Sequence, residues 1–534
     1  MNTNLVFSKA RYLSGEKVVV SIDKNVQKEI ILQRENIIIE DYIYLVQRVN
    51  SKSIITFSNL DVGSYILTIE DYQGSFVIEE NVNDSVLYGF LSDFENLSDG
   101  KEIESLSRLH INTVQFYDWM YRHDDLISKD EEYFDPLNRK INLSVIKDKV
   151  SRCKASGMRA FAYGAIYAAT DKIYKVHPSW CLYTIDKKPL KFANWLYYMN
   201  ISQSNGWSDY ITNEFLKAVK EIGFEGIHMD TYGFPKTGCD YNGNIVFLDD
   251  EIPHLMDKVE SSLKKESLDT GVIFNAVNDW PTETVSRCSD AAYIEVWPPH
   301  DSYYDLYLLI KKAKLLGHEN VVLACYDEPF KDSDQEAAEN AWRLTFATIN
   351  SSGGTQLIMG ENKAVLSNSY YAKYSTLRDS FVPITIRYFD FIVAYKNMLY
   401  KNKGMDVSSL HSGGINEDII FKSKGVNFSP IGLENCVWTI IKETKNIISC
   451  QFINLLNNNS LWNKAKNTPQ LVEDVLIKMR LNRIVKNVWL ASPDLDDIRP
   501  FKLDFTYDII DEGRLYSIKI PKIEFWTMVV VEME

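Results

Sequence analysis

The sequence predicts a multidomain chain with a central (β/α)8 TIM barrel over residues 86–409. An immunoglobulin-like β-sandwich over 1–85 and an antiparallel β-sandwich over 410–534 flank it. Three observations lead there. The 534 residues exceed what one hydrophobic core supports, so two to four domains are expected. Eight short apolar runs recur between 86 and 360, separated by polar or helix-forming stretches. Both ends of the chain carry closely spaced runs of β-branched and aromatic residues broken by turn formers.

At the N-terminal end, Val18–Ile22, Ile37–Leu45 and Ser64–Ile69 have strand composition, and Gly15, Gly63 and Gly74 fall between or beside such runs. The eight runs of the middle region are Val86–Leu91, Thr113–Tyr117, Ala160–Tyr163, Gly226–Met229, Val272–Asn275, Ala292–Val296, Val321–Cys325 and Thr355–Met359. Most intervals hold a helical pattern, as in Trp207–Ile222. A doubly wound open sheet is the competing architecture, and no glycine-rich phosphate loop supports it. From 410 the strand pattern returns in Val437–Ile441, Ile447–Ile453, Leu515–Ile520 and Trp526–Glu532. Turn clusters there lie at Asn457–Asn459 and Ser492–Asp497.

Composition narrows the function classes. The formal net charge of −15 opposes nucleic-acid binding, which needs a basic face, and fits a neutral polymeric substrate. The aromatic fraction of 13% suits strands, and equally suits rings that stack on pyranose faces. Cysteines 153, 181, 239, 288, 325, 436 and 450 show no CxxC or metal-ligand spacing, and their odd count opposes a disulfide framework. They read as small buried apolar residues. Histidine is scarce and no HxH or HExxH spacing occurs, so neither metal nor cofactor is expected. No run reaches membrane-spanning length, and residues 1–9 lack a signal-peptide core. The chain as it stands reads as cytoplasmic, or secreted if a leader has been removed. Oligomeric state is left open.

In a barrel of this kind, chemistry sits at the C-terminal ends of the strands. The ionisable groups there are Asp118, Asp230, Glu295, Asp327 and Glu361, a gathering of carboxylates suited to acid/base work on a sugar. Asp230 ends the fourth run, in Gly223–Gly233, where Gly233 lets the backbone turn away; an Asp in this position also serves as a helix cap. Glu295 lies between Ile294, Val296 and Trp297. An apolar setting raises a carboxyl pKa, as a general acid requires, unless a buried cation pairs with it. Their separation decides the chemistry: about 5–5.5 Å permits covalent catalysis with retention, whereas roughly 6.5–9.5 Å leaves room for water and inversion.

Four motifs, Thr113–His123, Gly226–Gly233, Tyr293–Trp297 and Leu357–Asn362, resemble glycoside hydrolase family 66, the family of endo-dextranases and cycloisomaltooligosaccharide glucanotransferases. The resemblance extends to Phe452–Leu455, Ala491–Asp494 and the terminal strand that contains Trp526. It implies Asp230 as nucleophile, Glu295 as general acid/base, and an α-1,6-glucan (dextran or isomaltooligosaccharide) cleaved by double displacement. Asp118, Tyr121, Arg122 and His123 are then candidate sugar contacts, or else a structural rim network. Tyr163 joins the candidate substrate contacts, and Trp195, Tyr197, Tyr198 and Trp297 are candidate stacking platforms, or packing for a long loop. Asn275 and Glu361 are candidate orienters of the pair, although Glu361 also suits a cap. Two departures stand out. The stretch Tyr121–Ile127 lacks the Pro expected soon after His123. The chain is also too short for the module inserted in cyclising members, which favours hydrolysis over cyclisation; the alternatives are α-1,6-glucan transglycosylation and non-catalytic glucan binding.

Overall fold

Apolar strands too short to bury themselves gain most by packing side by side beneath a layer of helices, and the middle region does this. The computed structural model describes residues 5–26, 30–267, 269–285, 289–401 and 404–534. In it the eight runs form β1 (Tyr88–Leu91), β2 (Thr113–Phe116), β3 (Arg159–Ala165), β4 (Gly226–Asp230), β5 (Gly271–Val277), β6 (Ala292–Glu295), β7 (Val321–Ala324) and β8 (Thr355–Gln356). They join in chain order into one parallel eight-stranded sheet.

The sheet is curled until its ends nearly meet. Because β8 is only two residues long, closure rests on a parallel bridge between Phe90 and Gly360 and on the Phe90 amide donating to the Met359 carbonyl at 3.2 Å. Thr355 Oγ1 adds a bond to the Val86 carbonyl at 2.9 Å. Glycine at 360 has a steric cause: a Cβ there would lie 2.5 Å from the Phe90 ring.

Most crossovers are long helices, among them Lys101–Arg108, Leu143–Ala155, Leu248–Lys264, Tyr303–Leu315 and Gln335–Ser352. The run expected to be helical at 207–222 forms Gly206–Lys217, prolonged by a π-helical turn to Ile222. Local chemistry sets the ends. Ser302 and Asp305 form a capping box, and Asp334 caps the helix that Gly353 closes in the left-handed region. The crossover after β5 departs from the pattern, with one helical turn, Thr282–Val285.

In the N-terminal region a four-stranded and a five-stranded sheet share one core. Val18, Val20 and Ile55 contribute from one side, and Leu32, Leu67 and Phe76 from the other. The run Ile37–Leu45, read as one strand, splits. Ile37–Ile39 joins the five-stranded sheet and Ile43–Val49 the four-stranded one, with the polar Glu40-Asp41 pair carrying the chain between them. At the C-terminal end, Trp526–Met533 pairs with Ile447–Asn454 and Val485–Ala491, while Gly513–Ile523 belongs to a separate four-stranded sheet.

A loop from this last region reaches the barrel. The Tyr303 amide donates to the Ser460 carbonyl, Trp462 Nε1 to the His300 carbonyl, both at 2.8 Å, and the Lys466 amide to the Ala337 carbonyl at 3.1 Å. The first two bonds tie down the connection after β6, and the third holds the helix after β7. Cysteines 153, 181, 239, 325, 436 and 450 are buried and unpaired, and Cys288 lies outside the described residues. Among the described residues no helix is long and apolar enough to cross a membrane.

Gly360→Ala is expected to press on a fully buried Phe90 ring and cost about 1–3 kcal/mol. Chemical denaturation checks this, and an unchanged midpoint would mean that the seam tolerates a methyl group.

Candidate active site

Side chains alternate along a strand, so in β4 His228 and Asp230 face the barrel interior while Ile227 and Met229 face the helices. His228 Nδ1 meets the hydroxyl of Tyr88 from β1 at 3.0 Å, which places a polar layer beneath Asp230. Burial pushes His228 down to about 3, so this layer is neutral. Three residues past Asp230, Gly233 turns the chain away with a φ of 68°; a Cβ there would lie 2.9 Å from Val277.

The strand between β4 and β6 supplies the link between the two candidate carboxylates. Asn275 of β5 donates from Nδ2 to Asp230 Oδ1 at 2.7 Å and to Glu295 Oε2 at 2.9 Å. The two oxygens are therefore no further apart than the sum of these lengths, about 5.6 Å. That lies below the spacing of roughly 6.5–9.5 Å that inversion needs. Both partners accept, which fixes the amide with its NH2 group toward them; Oδ1 is left buried and without a partner among the described residues. The remaining oxygens are held by phenols: Tyr163 donates to Asp230 Oδ2 at 2.7 Å, and Tyr326 donates to Glu295 Oε1.

Burial raises both carboxyls, and like charge raises Asp230 further. Asp230 is pushed up to about 7, first by burial and then by Glu295, against the bonds from Tyr163 and Asn275. Glu295 is raised by burial, against bonds from Tyr326 and Asn275. Two carboxylates this close titrate as a unit, and their like charge opposes ionising both. One group can then be ionised while its neighbour is an acid.

Asp118 lies after β2 in the left-handed region, φ 49°, with a buried side chain that burial raises to about 7. It is close enough to Asp230 to push that carboxyl upward. His123 is buried, its Nδ1 has no partner among the described residues, it is lowered to about 4 by burial and by Arg122, and it lies 5.8 Å from the Trp195 ring, centroid to centroid. Trp195 and Trp297 are each more than one-third exposed, as sugar platforms require, and Trp297 packs 5.4 Å from Tyr326. Other candidates are engaged elsewhere. Arg122 donates to the carbonyls of Tyr121 and Phe134 and sits 4.0 Å over the Tyr121 ring. Tyr197 stacks on Tyr174 at 4.0 Å, and Tyr198 is buried against Tyr167 at 5.0 Å. Glu361 is fully buried: Oε1 accepts from the Ser92 amide and hydroxyl and the Asp93 amide, while Oε2 lies 3.5 Å from Lys149 Nζ. It ties the ends of β1 and β8 together. Asp327 is buried, raised to about 8, and has no hydrogen-bond partner on either oxygen among the described residues.

Sequence reasoning missed Tyr326 and Tyr371. Tyr326 follows the seventh strand next to Asp327, and a search for carboxylates passes over it although strand alternation turns it, not Asp327, toward Glu295. Tyr371 stacks on Tyr117 at 4.3 Å and meets the Tyr293 hydroxyl at 2.7 Å. It comes from a loop with no local pattern. Among the described residues no group of three or more His, Cys, Asp or Glu could hold a metal ion.

The sequence pattern of glycosyl hydrolase family 66 matches residues 7–530. A cycloisomaltooligosaccharide glucanotransferase of Niallia circulans is 24% identical over 599 residues, covering 83% of this chain and 61% of the relative. A dextranase of Streptococcus salivarius is 22% identical over 515 residues, covering 81% and 60%. The chain thus spans about three-fifths of the length of these curated relatives. In a solved structure, a Paenibacillus sp. cycloisomaltooligosaccharide glucanotransferase complexed with cycloisomaltoheptaose superposes with a TM-score of 0.87 at 20% identity over 99% of both chains. A maltogenic α-amylase of Thermotoga neapolitana superposes with a TM-score of 0.52 at 12% identity, over 85% of this chain and 99% of the other. These likenesses show a shared barrel fold. The match from Phe7 to Val530 takes in the whole barrel and both carboxylates at its rim, and the chain belongs to glycosyl hydrolase family 66.

Proposed function

We propose that this protein is a retaining endo-glycoside hydrolase that cleaves α-1,6-glucosidic linkages in dextran or isomaltooligosaccharides. One observation carries the reading: a single amide nitrogen, Asn275 Nδ2, bonds both carboxylates and holds them at the spacing of covalent catalysis. The relatives named as a dextranase and a cycloisomaltooligosaccharide glucanotransferase motivate the substrate. We also take the flanking sheet pairs as the immunoglobulin-like and the antiparallel sandwich expected from the sequence.

In the first step Asp230 attacks the anomeric carbon, the bond to the leaving glucan oxygen breaks, and Glu295 gives that oxygen its proton. In the second, Glu295 takes a proton from water, the hydroxide oxygen bonds the anomeric carbon, and the electron pair of the ester bond returns to Asp230. Asn275 steadies the pair through both steps. Asp118 and His123 flank the cleavage point, with Trp195 and Trp297 stacking on neighbouring rings. Transfer to a sugar hydroxyl shares the first step.

Incubation with dextran, sizing of the products and NMR of the first-formed anomer test the reading. Linear oligosaccharides with the α-anomer first are expected. A first-formed β-anomer would exclude the covalent route, and cyclic products would assign the enzyme to transfer. Asp230→Asn and Glu295→Gln should each lower kcat by at least about 10³-fold. With an activated aryl glycoside, azide should restore turnover to the Glu295 variant as an α-glycosyl azide; retention of most activity in either variant excludes its role.

Asn275→Ala removes a donor from both carboxylates and should lower kcat by about 10²-fold. The acid limb of the rate profile should move to higher pH, since the bond that favoured ionised Asp230 is gone. A lower rate with an unmoved limb would make Asn275 a packing residue only.

The raised Asp230 carboxyl also has a cost in stability. Its contribution is present below the ordinary carboxylate pKa and is lost as pH rises through about 7. Asp230→Asn removes the cost, so thermal unfolding should show the variant gaining on the parent between pH 5 and pH 8. A gap that narrows over this range contradicts the assignment.

A further inference from the structure

The two sheets of the N-terminal region are used unequally. The five-stranded sheet leans on the rest of the chain: the Ser75 amide donates to Asp390 of the helix Val382–Ala394 at 3.1 Å, and Gln73 Nε2 to Asp497 at 2.8 Å. The four-stranded sheet runs in the order Val6–Phe7, Val18–Ile22, Lys52–Ser58, Ile43–Val49. Its first strand lies near the barrel, with the Phe7 ring 6.4 Å from that of His110, and its last is an open edge on the far side.

Exposed edge strands are normally blunted by brevity, charge, proline or a bulge. Ile43–Val49 has seven residues, one charged side chain, no proline and an unbroken register with its neighbour. Ile43, Leu45 and Val49 on its outer face are each half or more exposed. The ladder tells which backbone groups are free. The Ser8 amide donates to the Val19 carbonyl, so the odd-numbered residues of Val18–Ile22 face the first strand. Alternation across the next two registers turns Ile43, Leu45, Gln47 and Val49 toward Lys52–Ser58, and leaves the N–H and C=O of Tyr44, Val46 and Arg48 at the open edge. Among the described residues these groups have no partner.

Two copies of this strand, antiparallel about a two-fold axis at Val46, satisfy all of them: Val46 pairs with Val46, and Tyr44 with Arg48 in both directions. The same register sets Ile43 against Val49 on the outer face and a cation against a ring where Arg48 meets Tyr44. It also brings unlike charges together, because Glu40 and Asp41 precede the strand while Lys52 follows it, and Glu40 falls opposite Lys52. Lys52 already meets Asp23 at 2.7 Å, and Arg48 the Val26 carbonyl at 3.1 Å, but both cations are exposed and keep further donors. Glu40 and Asp41 have no ion pair among the described residues. Another edge strand, Phe505–Ile510, lacks this complementarity. Asp504, Asp508, Asp511 and Glu512 lie in and beside it with no base between them, so two copies would set acid near acid.

We propose that Ile43–Val49 is the seat of a homodimer, in which two copies of the chain join their four-stranded sheets edge to edge into one continuous sheet. The interface does not involve the carboxylate pair.

Sedimentation velocity of the full chain at concentrations up to about 100 µM tests this. A reversible shift from 61.6 kDa to twice that mass is expected. Hydrogen exchange should slow in the dimer at the amides of Tyr44, Val46 and Arg48, and change little at Leu45 and Gln47, which already bond within the sheet. Val46→Pro removes a donor that only the second copy uses and should leave the chain monomeric, with dextran turnover at the parent level. Lys52→Glu should weaken association at least about tenfold, and adding Glu40→Lys to it should restore association. The charge exchange keeps the test intact if the proline disturbs the sheet. A chain that stays monomeric throughout, or a dimer unaltered in both Val46→Pro and Lys52→Glu, overturns the proposal. A double variant no tighter than Lys52→Glu alone overturns the antiparallel register.

Discussion

Two carboxyl groups of like charge, held within about 5.6 Å of each other out of bulk water, repel unless something positive or a proton stands between them. The barrel supplies an amide. Asn275 projects from the strand between the two that carry Asp230 and Glu295, and its NH2 group has one hydrogen for each. Burial raises both groups and Glu295 raises Asp230 further, while the amide bonds and two phenols hold the geometry. Much of the surrounding construction reads as support for this arrangement. Tyr163 and Tyr326 come from β3 and the end of β7, the strands just outside the trio, and close the carboxylates from the far sides.

The support extends beyond the cleft. Glu361 is a buried carboxylate with three neutral donors and one lysine, and it locks β8 to β1 where the sheet has run out of ladder bonds. The connection after β6 follows Glu295 and Trp297, and a loop from the C-terminal sheets holds it through Ser460 and Trp462. Cleft and flanking region are thus mechanically joined, with main-chain carbonyls as the fasteners.

Much of this was legible in the residues. Eight apolar runs mark strands because a buried parallel strand needs nothing but apolar side chains, and each of the eight forms where its run lies. Asp230 and Glu295 were legible because a charged residue at the end of an apolar run has few structural reasons to be there. Asn275 stood out in the same way, at the end of the fifth run. Loop residues were less legible. Arg122 binds main-chain carbonyls, and Tyr197 packs on Tyr174; both could be placed only after the path of the loop was known. The run Ile37–Leu45 reads as one strand by composition and becomes two because the chain there crosses between sheets.

By itself the sequence determined the strand order, the rim on which chemistry sits, and the two acids that end the fourth and sixth runs, since each depends on local periodicity and on the chain sense of a parallel barrel. Only the tertiary structure decided that one amide spans both acids, that Tyr326 and not Asp327 faces Glu295, and that Glu361 serves the seam instead of the cleft. Those facts depend on which side of a strand end a residue points to and on how far neighbouring strands are staggered. Side-chain direction and stagger are set by contacts between residues far apart in the chain, and no local pattern records them.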